Sequence, residues 1–302
     1  MKIAVTGAGG LVGSRLVPFL KKGGHEVIPI VRRKASGDGI HWDPYRQELD
    51  TENLADVDAL VHLSGENIAG RWTAEKKRKI RESRVAVTRF LCDRLLQMED
   101  PPPTVVAASA IGFYGDRGND YLTEDDDGGS GFLASVTAEW EAATHSAIEE
   151  GIRVVNLRIG VVLSPEGGAL QKMLLPFKIG LGGTIGDGRQ YWSWITIDDL
   201  IGIIQHAIKT DYLIGPVNAV VPEAVTNAEF TKVLGKVLSR PTLLPMPAFA
   251  ARLAFGEMAD ALLLSSTRVE PTRLLKTEFE FRHPDLEEGL SDLLDHHETI
   301  AS

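Results

Sequence analysis

Residues 2–13 read KIAVTGAGGLVG, and this stretch decides the fold. Lys2 to Thr6 is a short apolar run with β-branched residues, the pattern of a buried strand. Glycines follow at 7, 10 and 13, and a helical pattern then runs to Lys22, ended by Gly23-Gly24. A strand, a glycine turn and a helix in that order form a site for a dinucleotide's pyrophosphate. Gly7 makes the tight turn. Gly10 lets a pyrophosphate reach the backbone where Leu11 and Val12 open the helix. There, free N–H groups and the helix dipole favour an anion. Gly13 lets the helix lie close on the strand.

The next strand, HEVIPIV (25–31), bears on which dinucleotide is bound. An NAD site carries an acidic side chain about 20 residues past the motif, on the ribose 2′-hydroxyl. This chain has Arg32, Arg33 and Lys34 there. A carboxylate repels a 2′-phosphate, whereas a guanidinium binds it through a planar fork. The expected cofactor is therefore NADP(H), with Arg32 as the main contact and Arg33 assisting.

Outward from the motif the chain alternates. Strand patterns fall at 58–65, 104–109 and 153–163, and helical patterns at 73–97 and 132–150. Alternation at this spacing builds parallel βαβ units. The expected fold is α/β: a Rossmann-like doubly wound parallel sheet with a smaller mixed α/β C-terminal lobe. Residues 1–164 would form the nucleotide-binding domain and 165–302 the substrate lobe, with a stretch near 190–225 returning to the first. Beyond Ser164 glycines cluster at 167–168, 180, 182–183, 186 and 188. A helix over 198–209, a strand near 217–221 and a helix over 226–238 follow.

Composition narrows the partners. The 302 residues carry 42 acidic and 32 basic side chains, a net charge of −10. Phosphate backbones and anionic lipid are poor partners for such a chain, so neither nucleic acid nor a membrane surface is expected. The single cysteine, Cys92, rules out an internal disulfide and reads as a small buried hydrophobe. No apolar run reaches the length of a membrane span, and the N-terminus carries no signal-peptide pattern. The expectation is a cytoplasmic protein with a small-molecule substrate and no metal. The acidic run EDDD (124–127) reads as a solvated loop, and His296-His297 as a surface pair. The two long helical patterns offer faces for a homodimer.

Several longer stretches carry a family resemblance. HLSGENIAGRW (62–72), SAIGFYGD (109–116), RIGVVLSPEGGAL (158–170), LPFKIGLGG (175–183) and GDGRQYWSWITIDDL (186–200) resemble the epimerase-like atypical extended short-chain dehydrogenase/reductases. These belong to the NAD-dependent epimerase/dehydratase superfamily and carry a C-terminal domain of unknown function. The resemblance implies a cleft between the Rossmann domain and the C-terminal lobe. It places Leu63, Ser64 and Gly65 under the cofactor, Arg84 on the helix approaching it from below, and Gly160 and Val161 near the nicotinamide carboxamide. Ser109 takes the catalytic serine position with one residue inserted before the FYG turn, and Ala110 takes it without that insertion. Glu66 directly follows the cofactor turn and is a candidate to polarise a ribose or substrate hydroxyl.

Short-chain enzymes move a proton with a tyrosine and a lysine four residues later; the lysine brings the phenol's pKa toward neutrality. In FLASVTAEWE (132–141), Phe132 stands at the tyrosine position and Val136 at the lysine position. None of the five tyrosines, 45, 114, 121, 191 and 212, has a lysine four residues on. Tyr114, on the FYG turn, becomes the proton-transfer candidate, with Asp116 beside it. Two functions stay open: an NADP(H)-dependent oxidoreductase or epimerase-like enzyme with a non-standard acid/base, and an NADP(H)-binding sensor with little catalysis.

Overall fold

The computed structural model describes residues 1–32 and 39–301, with side chains up to Asp295. Arg33, Lys34 and the His296-His297 side chains lie outside the described residues. The first strands are β1 (Lys2–Thr6), β2 (Glu26–Val31), β3 (Ile40–Asp43), β4 (Glu48–Leu49), β5 (Ala59–His62) and β6 (Thr104–Ala110). They join Arg153–Ile159 and Gly215–Ala219 in one eight-stranded sheet. From one edge to the other the order is Gly215–Ala219, Arg153–Ile159, β6, β5, β1, β2, β3, β4. All pairs are parallel except β3 with β4. The chain winds outward from β1 to β4, then resumes at β5 on the other side of β1. That reversal puts the switch point of the sheet between β1 and β5, where open α/β sheets bind ligands.

Alternate strand residues face opposite sides of the sheet. Ile3, Val5, Val61, Val106 and Leu157 share one apolar cluster. Helix α1 (Leu11–Lys22) and the helix Ile197–Lys209 cover it through Leu16, Leu20, Leu200 and Ile204. The same cluster takes in Phe230, Leu234, Leu286 and Leu290, so residues beyond 164 share the sheet's core. On the other face, Ala4, Leu60, Val105 and Val154 pack with Val87, Leu91 and buried Cys92. No helix among the described residues is long and apolar enough to cross a membrane.

Three expectations are corrected. The helix over 73–97 is two helices, α2 (Ala74–Glu82) and α3 (Val85–Leu95). The Ser83 hydroxyl donates to the Ile80 carbonyl and accepts from the Glu66 N–H, and Arg84 also donates to that carbonyl. Side chains thus satisfy the backbone groups that the break frees. The helix over 132–150 likewise divides into α4 (Phe132–Ala142) and α5 (His145–Glu149), where the Thr144 hydroxyl donates to the Glu141 carbonyl. The strand over 153–163 splits at Gly160, where a Cβ would lie 2.6 Å from the Ser193 carbonyl oxygen. Past that crossing, Val161–Ser164 leaves the main sheet and pairs with Trp194–Thr196.

One smaller correction is of the same kind. Glu124 of the acidic run is buried, its Oε1 accepting from the N–H groups of Asn218 and Arg273. Thr196 caps the helix Ile197–Lys209. Asp199 is buried and accepts from the N–H groups of Arg282 and His283.

Candidate functional site

Gly7 sits at φ +70°, a left-handed conformation that glycine adopts without strain, and a Cβ there would lie 2.9 Å from the Leu63 backbone. At Gly13 a Cβ would lie 2.3 Å from the Gly7 carbonyl oxygen. Gly10 is exposed, and α1 starts there with no side-chain cap and no acidic residue in its first turn. Its first N–H groups therefore lack an intrahelical partner and a carboxylate to compete for them. Leu11 packs on the turn after Val161–Ser164, where a Gly167 Cβ would come within 2.9 Å of its side chain. Leu11 and Val12 are half-buried. This cradle fits a dinucleotide's pyrophosphate.

Arg32 ends the next strand exposed, with no ion pair among the described residues. Among the described residues no carboxylate pairs with it.

Beneath the switch point lies a buried polar chain. The Leu63 N–H donates to Thr6 Oγ1 at 3.1 Å, and Thr6 Oγ1 lies 2.8 Å from His62 Nδ1. His62 Nε2 lies 3.1 Å from Thr88 Oγ1, which also accepts from Trp140 Nε1 at 2.9 Å. Burial lowers the His62 imidazole to about 4, so it is neutral at pH 7. Above the ordinary histidine value near 6.5 both the folded and unfolded states carry it neutral. Below that value the unfolded chain takes up a proton that the folded chain refuses until about pH 4. Stability should therefore fall between pH 6.5 and 4, by about 3 kcal/mol from this group. Urea unfolding of the wild type and His62→Gln across that range checks this; parallel pH profiles would refute it.

Ser64 is half-buried and Gly65 exposed above this chain, with the Arg84 guanidinium 3.5 Å from where a Gly65 Cβ would stand. Arg84 donates to the Glu66 carbonyl oxygen at 3.1 Å and lies over the Trp140 ring. Burial lowers its guanidinium to about 10, against the pull of Glu66. Glu66 pairs with Lys76 at 2.6 Å, and that hydrogen bond holds its carboxyl below the ordinary range. The Glu66 charge is thus committed to Lys76, which weakens its candidacy for polarising a hydroxyl.

A second polar chain crosses the ends of β6 and Arg153–Ile159. The Ser109 hydroxyl donates to Glu141 Oε1 at 2.6 Å. Arg158 grips Glu141 with two bonds of 2.9 Å and donates to the Tyr114 hydroxyl at 2.9 Å. Tyr114 shares its proton between the Thr123 carbonyl and Asn218 Oδ1, each at 2.8 Å. Tyr114 is 0% exposed, and burial raises its pKa. The phenol is held between the strands that carry Arg158 and Asn218, away from solvent. Asp116 is also engaged, accepting from the N–H groups of Gly118 and Ser266.

Helix α4 turns Phe132 against Trp72, ring centroids 5.3 Å apart, and buries Val136 in a cluster with Trp72, Ile80 and Met258. Leu133 and Thr137 meet Gly112 of the turn after β6. Neither pair supplies a phenol and an amine. Trp192 and Trp194 lie in the core, whereas Tyr191 is half-buried. Among the described residues no group of His, Cys, Asp or Glu could hold a metal. The residues that sequence reasoning missed are Glu141 and His62. A sign of the first was present: Arg158 is a charge inside the apolar run RVVNLRIGVVL (153–163), which demands a buried partner.

Known proteins share this fold. Residues 3–217 match the NAD dependent epimerase/dehydratase family, and residues 246–293 match a domain of unknown function. An epimerase family protein of Mycobacterium bovis is 43% identical over 290 residues, 95% of this chain and 96% of that protein. The crystal structure of the human epimerase family protein SDR39U1 (isoform 2) with NADPH superposes with a TM-score of 0.88 at 34% identity, covering 98% of this chain and 99% of that one. A nucleoside-diphosphate sugar epimerase from Corynebacterium glutamicum superposes at 0.78 with 36% identity, covering 100% of this chain and 62% of that one.

Proposed function

The chain belongs to the NAD dependent epimerase/dehydratase family, and from that premise we propose that it binds NADP(H) and carries out oxidoreduction or epimerisation on a small molecule without a tyrosine–lysine pair. One observation carries the cofactor half of this reading. The uncapped start of α1 stands beside a strand followed by exposed Arg32, which pairs with no carboxylate among the described residues. Gly7, Gly10, Leu11, Val12 and Gly13 would cradle the pyrophosphate, and Arg32 the 2′-phosphate, with Arg33 assisting. Leu63, Ser64, Gly65, Glu66 and Arg84 would lie under the adenosine side; Ser109, Gly160 and Val161 would border the nicotinamide. The bound nicotinamide supplies the hydride chemistry. Ser109 would offer its oxygen lone pairs to a substrate hydroxyl while its own O–H donates to Glu141.

Calorimetric titration tests the cofactor choice. NADPH should bind about tenfold or more tighter than NADH, the scale of a charge-assisted hydrogen bond. Arg32→Ala should remove most of that preference. Equal affinities in the wild type would overturn it.

The second reading, a cofactor sensor with little catalysis, draws support from the hydrocarbon at Phe132 and Val136 and from buried Tyr114. Tight NADPH binding with no turnover of sugar nucleotides, aldehydes or ketones, by reduced-nicotinamide absorbance and product analysis, would favour it. Turnover would favour the first.

A further inference from the structure

Residues 66–72 run between two anchors. At the near end, the Glu66 N–H donates to the Ser83 hydroxyl, Arg84 donates to the Glu66 carbonyl oxygen, and Lys76 holds the Glu66 carboxylate. Beyond Glu66 the segment bonds mostly to itself. The Ala69 N–H donates to Asn67 Oδ1, and Trp72 Nε1 donates to the Ile68 carbonyl. Among the described residues, one hydrogen bond ties 67–72 to another element: the Gly70 N–H donates to the Met258 sulfur at 3.2 Å. The far anchor therefore belongs to the C-terminal segment.

Further contacts converge on the same place. A Cβ at Gly256 would lie 3.5 Å from Cγ of Arg71. Lys77 Nζ pairs with Glu257 at 2.5 Å and stands 4.9 Å from the centre of the Phe132 ring. Met258 and Trp72 are buried in one cluster with Ile80 and Val136. Gly256, Glu257 and Met258 thus meet the loop, α2 and the wall of α4 in succession. Helix α2 makes a second connection. Lys76 and Lys77 are neighbours on this nine-residue helix; one grips Glu66 beside the cofactor turn, the other Glu257. A shift of α2 moves both pairs together. A half-exposed ion pair stabilises little by itself, so its weight lies in what it joins.

We propose that Glu257 and Met258 are cofactor-positioning residues: they fix residues 66–72 and α2 from the C-terminal side, so that docking of this segment and binding of NADP(H) over Leu63 to Glu66 strengthen each other. The proposal rests on the NADP(H) reading above. Coupling of this kind is reciprocal. Loosening the C-terminal contact weakens the cofactor, and the cofactor tightens the contact.

The test reverses charges in the full chain. The Lys77 side chain is 31% exposed and that of Glu257 47%, so either sign can change without burying a charge. Lys77→Glu and Glu257→Lys should each weaken NADPH binding about fivefold by calorimetry, the scale of one ion pair turned into a repulsion. Each should also speed amide hydrogen exchange over 66–72 about threefold without cofactor, with the thermal midpoint within about 3 °C of the wild type. Lys77→Glu/Glu257→Lys remakes the pair with its signs exchanged and should return both readouts to within about twofold. Met258→Leu keeps the volume and removes the acceptor, so exchange at Gly70 should rise about threefold. NADPH should slow exchange over 255–262 in the wild type. Opposite affinity changes in the two single variants, following their opposite charge, would assign the effect to the overall field and overturn the proposal. So would a charge swap that fails to rescue, wild-type exchange at Gly70 in Met258→Leu, or exchange over 255–262 that ignores NADPH. Failure of NADPH to bind the wild type overturns the underlying reading instead, and exchange over 66–72 in the variants then decides whether Glu257 and Met258 fix the loop.

Discussion

Gly13→Val should lower NADPH affinity by about 100-fold or more, roughly 2.7 kcal/mol. The first side-chain carbon would stand 2.3 Å from the Gly7 carbonyl oxygen and 2.7 Å from Ala8 Cα. Both neighbours are backbone, so no rotamer change relieves the clash. The start of α1 must then move off β1, and the N–H groups meant for a pyrophosphate move with it. Overpacking of this kind costs about 1 to 3 kcal/mol of stability, seen as a lower midpoint in thermal unfolding. Gly9 serves as the control: a Cβ there has nothing within 4 Å. Gly9→Ala should leave the unfolding midpoint within about 2 °C of the wild type. Wild-type NADPH affinity in Gly13→Val, measured by calorimetry, would refute the placement of the cofactor on this turn.

Glu141→Ala should be the most destabilising single change in the second polar chain. The Arg158 side chain is 4% exposed, and Glu141 is its carboxylate partner. Removing that partner leaves a buried cation uncompensated, at a cost of about 3 to 5 kcal/mol. For a chain of this size the unfolding midpoint should drop by roughly 10 °C. The loss should reach beyond the pair, because Ser109 loses its acceptor and Tyr114 loses a fixed donor. The double variant Glu141→Leu/Arg158→Met should recover most of the stability, since an apolar pair carries no desolvation penalty. A coupling energy near zero in that double-mutant cycle would show that the pair is not coupled and would sink the argument. Its consequence for function is positional. If Ser109 borders the nicotinamide, its orientation depends on a salt bridge made behind it.

The parts of the fold legible from sequence share one property: their causes act within a few residues. The spacing of Gly7, Gly10 and Gly13 implied a turn and an uncapped helix start, and both are present. The strand–helix alternation implied a parallel, doubly wound sheet, which the chain forms. Missing tyrosine and lysine could be counted without coordinates. Where the reading failed, contacts outside the local pattern overrode it. Ser83 and Arg84 divide what looks like one long helix, and Gly160 moves half a strand into another sheet. EDDD looked solvated because nothing within reach of Glu124 in sequence can donate to it; its donors are the N–H groups of Asn218 and Arg273.

Fold class and the dinucleotide cradle were therefore set by short-range steric and hydrogen-bonding rules, written in twelve residues at the N-terminus. Tertiary structure alone decided the character of the site around that cradle. It joined Glu141 to Arg158 and Tyr114 to Asn218, and it closed Met258 onto Gly70, 188 positions apart. Contacts between residues so far apart arise only when the sheet is assembled. Burial then raised Tyr114, lowered His62 and left Phe132 and Val136 in hydrocarbon, because the free energy of a charge or a hydroxyl depends on the dielectric and partners that the packed chain provides.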